Sequence, residues 1–74
     1  MHPNAMHRLQ ILEMLYQQLE SKPNHPWVHQ QQLNTFGEVD FTLVCLIRIG
    51  LAEKRNNSYQ ITGKGILEVE AQDS

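Results

Sequence analysis

Cysteine is nearly missing from this 74-residue chain: Cys45 is the single one. No internal disulfide can therefore staple the fold, and a lone thiol in a small domain fits a reducing compartment, packed as a small apolar group. Long apolar runs are absent as well, which excludes a bilayer-spanning helix. Met1-His2-Pro3-Asn4 lacks the basic-then-apolar order of a signal peptide, so a cytoplasmic, membrane-free location is expected. Low-complexity tracts, internal repeats and interdomain linkers are missing too, and residues 1–74 read as one domain with loose ends at 1–4 and 71–74.

Excess positive charge is also lacking, since the formal net charge is -2. Strong non-specific nucleic-acid binding rests on Lys and Arg neutralising phosphates, so this balance argues against it. The charge is nevertheless uneven. Arg48, Lys54, Arg55 and Lys64 outnumber Glu38, Asp40 and Glu53 in the centre, whereas Glu68, Glu70 and Asp73 make the tail acidic.

Catalytic and metal constellations are likewise wanting. His25 and His29 are four apart, but Pro26 lies between them and no carboxylate or cysteine stands nearby to complete a metal site. His2 and His7 need no special role. Cys45 has no visible orienting group to make it a nucleophile. Gly63-Lys64-Gly65 lacks the spacing of a phosphate-binding loop. The expectation is a binding protein, with no enzyme active site, no cofactor and no metal.

What remains is a strong helical pattern followed by a short hairpin. A helix is predicted over about Ala5–Glu20, capped by Asn4. Leu9, Leu12, Tyr16 and Leu19 recur at helical spacing as its core face. Ile11, Leu15 and Met14 widen that stripe beyond what one small core requires. A domain of this size buries only roughly 60% of its unfolded surface. A homodimer joined through Ile11 and Met14 is therefore expected.

Pro23 and Pro26 end this helix. Trp27-Val28 reads as a short extended segment, with Trp27 plugging the core, and His29–Thr35 as a short helix with Leu33 inward. Phe36-Gly37 makes a turn. A third helix begins at Glu38 or Asp40 and ends at Ile49. Gly50 is placed for a left-handed cap, with Leu46 and Leu51 supplying its apolar contact. Leu51–Arg55 and Ser58–Ile61 flank Asn56-Asn57, a pair suited to a tight turn. Thr62 then caps a closing helix that carries Ile66, Leu67 and Val69.

The order helix, short strand, helix, helix, hairpin, helix, with Leu46-Ile47-Arg48-Ile49-Gly50-Leu51 and Tyr59-Gln60-Ile61-Thr62-Gly63-Lys64-Gly65, resembles the winged helix-turn-helix superfamily over about residues 28–69. The resemblance implies a mainly α fold with a small β-hairpin (α+β). It also implies a third helix that enters the DNA major groove and a wing over Lys54–Tyr59. Double-stranded DNA is then the expected partner, in transcription regulation, through Thr42, Arg48, Lys54, Arg55, Asn57 and Lys64.

The residues of the third helix point another way. A helical wheel puts Val39, Leu43 and Leu46 inward and Phe41, Val44, Cys45 and Arg48 outward, with Asp40 at the edge. Base edges are read by hydrogen-bonding side chains, and this face is largely apolar. A protein partner held by Phe41, Val44 and Cys45 is the alternative expectation.

Overall fold

In the computed structural model, which describes residues 3–72, the chain runs α1 (Pro3–Ser21), β1 (Val28–His29), α2 (Gln30–Leu33) and a 3-10 turn (Asn34–Phe36). It continues with α3 (Asp40–Ile49), β2 (Ala52–Arg55), β3 (Ser58–Ile61) and α4 (Gly63–Gln72). The strands form one antiparallel sheet in the order β1-β3-β2. The architecture is mainly helical α+β, as the sequence predicts.

Helix α1 is the central element, packed against β3, α3 and α4 together. That position explains its wide apolar arc. Ile11 and Leu15 are fully buried and Leu12 nearly so, while Leu9, Tyr16 and Leu19 are only half-buried. The buried stripe is thus rotated from the expected one toward Ile11, because α1 fills contacts on more than one side. Gln10, Glu13, Gln17 and Glu20 are exposed on the remaining side, as expected. The helix also starts earlier than predicted, so Asn4 lies within it rather than ahead of it. At the other end α4 continues through Gln72, so Ala71 and Gln72 are helical rather than loose. His2 and Asp73 lie outside the described residues.

Chain reversal between α3 and the hairpin follows from Gly50, with φ 91° and ψ 16°. Its amide donates to the Ile47 carbonyl at 3.0 Å, and the Leu51 amide donates to the Leu46 carbonyl at 2.9 Å. These are the two hydrogen bonds of a Schellman motif. Leu46 and Leu51 are both buried, so the apolar partner contact sits where the sequence puts it. The hairpin pairs Ala52 with Ile61 through to Arg55 with Ser58, leaving Asn56-Asn57 as the turn. Asn56 takes the positive φ (56°).

Strand β3 alternates as a half-buried strand should, with Tyr59 and Ile61 inward. Strand β1 extends the sheet by pairing Val28 with Tyr59. The core joins Ile11, Leu12 and Leu15 to Val28, Leu33, Leu43, Leu46, Ile61 and Val69, among others. Trp27 is only half-buried and stands outside this cluster, so it does not plug the core. His29 ends β1 and caps α2, accepting the Gln31 amide on Nδ1 at 3.1 Å.

Candidate functional site

Helix α3 is ten residues of which Thr42, Leu43 and Leu46 are buried. At 3.6 residues per turn these three span one side, and the opposite side carries Phe41, Val44 and Arg48. Phe41 is 65% exposed and Val44 49%. Ile47 and Ile49 flank that strip and are exposed too, while Cys45 is half-buried beside it. Leu43 and Leu46 anchor the helix to the core, and the Gly50 cap ends it. The outer face is therefore held rigidly and presented to solvent. Phe41 and Val44 are the most exposed large apolar side chains of this helix.

The residues assigned to DNA contact differ in exposure and in what they touch. Thr42 is 4% exposed, and its hydroxyl lies 3.0 Å from Nδ1 of His7. It faces α1 and cannot meet a groove, which corrects the expectation drawn from its polar side chain. Lys64 donates from Nζ to the Ile49 carbonyl at 3.1 Å, so its ammonium serves the open end of α3. Lys54 is exposed on β2, with Nζ 5.9 Å from the centroid of the Tyr59 ring. The Asn57 carbonyl accepts the Gln30 amide at 2.8 Å, tying the hairpin tip to the start of α2, although its side chain is exposed. Arg48 and Arg55 are exposed. Asp40, at the first turn of α3, accepts a hydrogen bond from Gln30 at 2.7 Å.

Of the two residues expected to join two α1 helices, Ile11 is not available for that. Ile11 has no exposed surface, and Met14 is partly buried against the same core. The wide arc is consumed within the chain, because α1 is enclosed by β3, α3 and α4. Ile11 therefore offers no surface to a second copy, and Met14 offers only the exposed part of its side chain.

A shallow groove of about 230 Å³ lies between α1 and α4, with Met6, Leu9, Leu12 and Leu51 on its apolar side and Arg8 and Glu68 among its polar residues. Small-molecule sites run to about 300–1,000 Å³, so this groove is small for that use. Among the described residues, no group of three His, Cys, Asp or Glu is gathered to hold a metal ion, and no helix is long and apolar enough to cross a membrane.

Sequence reasoning missed three features. The Tyr16 hydroxyl donates to Glu70 at 2.9 Å, joining α1 to α4. Gly65 is buried where an added Cβ would fall 2.6 Å from Cγ1 of Ile61 and closer still to the Leu51 carbonyl. The Thr42–His7 link is the third. Only Gly65 left a local signal, as a glycine inside a helix, where glycine is otherwise unfavourable.

No family model matches this chain, and no curated protein or solved structure matches it either.

Proposed function

We propose that this chain is a winged-helix module whose third helix holds another protein on its outer face. One observation carries the reading: the exposed apolar strip of Phe41 and Val44, flanked by Ile47 and Ile49, on a helix fixed from behind by Leu43 and Leu46. Partner surfaces concentrate affinity in a few large side chains that lose water on contact, and Phe41 is the natural anchor. Catalysis has no part in this reading.

The same strip disfavours groove reading. A helix that reads bases offers hydrogen-bonding groups to their edges, and here Arg48 is the one such side chain at the centre of the exposed face. Asp40 adds a negative charge at the end of the helix that would approach phosphate. Thr42 is buried and offers no hydroxyl to a groove, and with Lys64 donating to the Ile49 carbonyl the exposed cations that make no such contact on α3 and the hairpin are Arg48, Lys54 and Arg55.

Those three exposed cations favour duplex DNA as the second reading. The test is capture from the source cell, with and without nuclease, by the parent chain and by two variants. Val44→Glu should abolish capture of the partner. Lys54→Ala with Arg55→Ala should retain it, nuclease or not. Capture that is lost with nuclease or with the wing variant, yet survives Val44→Glu, would replace this reading by the DNA one.

A further inference from the structure

We infer that the protein held by α3 is a second copy of this chain, its α3 lying antiparallel across a two-fold axis at Val44. This rests on the reading of the α3 face given above and names its occupant. Five exposed residues of α3 are symmetric about one position. Phe41 and Ile47 each lie three residues from Val44, and Asp40 and Arg48 each lie four. An isologous pair brings residues before the axis against residues after it. Phe41 then meets the partner's Ile47, Val44 meets the partner's Val44, and Asp40 meets the partner's Arg48.

All five side chains are exposed. On a wheel of about 100° per residue they fall within a sector of roughly 120°, so one contact can engage them together. The pattern is self-complementary in both polarity and charge. Apolar groups oppose apolar groups at the centre, and opposite charges close both ends. A parallel arrangement would instead stack Asp40 on Asp40 and Arg48 on Arg48. The Asp40 carboxylate keeps one oxygen beyond the one that accepts from Gln30, so the charge pair needs no rupture of existing contacts.

A ten-residue helix is about 15 Å long. The pairing therefore falls among small interfaces, under about 1,200 Å² in total, which are weak and transient. It would also occupy the face that a groove-reading helix needs, so self-association and duplex binding through α3 exclude one another.

The experiment is sedimentation equilibrium of the full chain from low to high micromolar concentration, on the parent and four variants. The parent should form a dimer at the upper end, and Val44→Glu should remain monomeric. Asp40→Arg and Arg48→Asp should each weaken association at least tenfold, since each sets like charges against each other. Their combination should recover most of that loss, a rescue that general destabilisation cannot mimic. A parent chain that stays monomeric overturns the self-pairing, and the α3 reading then survives if Val44→Glu still abolishes capture of a different protein. A double variant no better than either single one overturns the antiparallel register. Dimerisation that resists Val44→Glu overturns this inference, and the reading on which it rests falls only if capture of a different protein also survives Val44→Glu.

Discussion

The Thr62 hydroxyl donates to the Gly50 carbonyl across 2.6 Å. The same oxygen accepts the Gly65 amide at 3.1 Å, and the Thr62 amide donates to Leu51 at 3.0 Å. One residue thus closes the end of α3, holds the chain entering the hairpin and caps α4. The outer face of α3 owes its fixed aim to this joint. Thr62→Val keeps the side-chain shape and removes the hydroxyl. A lost cap costs about 1 kcal/mol, and the exposed Gly50 carbonyl, free to accept from water, adds little to that. For a domain of this size the thermal midpoint falls by roughly 4–8 °C per kcal/mol, and calorimetry reads the change directly.

Two glycines at this joint should respond differently to alanine. At Gly50 the nearest atom to an added Cβ is Cδ of Lys64 at 3.9 Å, so space is ample and the positive φ is the obstacle. Alanine there should cost about 1–2 kcal/mol, the penalty of a left-handed residue. At Gly65 the obstacle is contact with the Leu51 backbone and Ile61. Neither can swing aside like the end of a long side chain, so Gly65→Ala should be the more damaging, by about 1–3 kcal/mol or more. Equal midpoints for the two variants would contradict this division.

These glycines mark the limits of reading the chain without its fold. Gly50, Asn56 and Thr62 announce themselves because each satisfies a local rule of backbone geometry or capping, and the order of elements follows from them. Ile11 and Thr42 cannot be assigned that way. An apolar arc as wide as that of α1 fits either a dimer or enclosure on several sides, and the choice depends on where α4 returns. Thr42 looks like a surface hydroxyl until His7, far away in sequence, comes to rest beside it. Lys64 reads as a free cation, since the carbonyl it caps belongs to another helix. Local chemistry was legible, and long-range occupancy was not.

Thr42 offers a test that separates stability from binding. Nε2 of His7 is buried with no hydrogen-bond partner, and Nδ1 meets the Thr42 hydroxyl. Thr42→Val would leave both ring nitrogens without a partner, at a cost of about 1–3 kcal/mol. Below its lowered midpoint the variant should capture and self-associate like the parent. A selective loss of binding by the folded variant would return Thr42 to the contact surface.

Duplex binding at low salt, where phosphate attraction is least screened, tests the competing reading. The α3 account predicts no shift of random duplex DNA. Should a shift occur, Lys54→Ala with Arg55→Ala ought to flatten the slope of log affinity against log salt by up to about two units, one for each lost phosphate contact. That flattening, together with binding unimpaired by Val44→Glu, would place the function in the wing.

The most direct measurement is site-specific photo-crosslinking of the full chain in its source cell. A photoreactive side chain is substituted for Val44 in one variant and for Arg55 in another, and each adduct is identified by mass spectrometry. The account predicts a protein adduct from position 44, with this same chain as the attached species, and none from position 55. Nucleic-acid adducts from position 55, with no protein adduct from position 44, would contradict it.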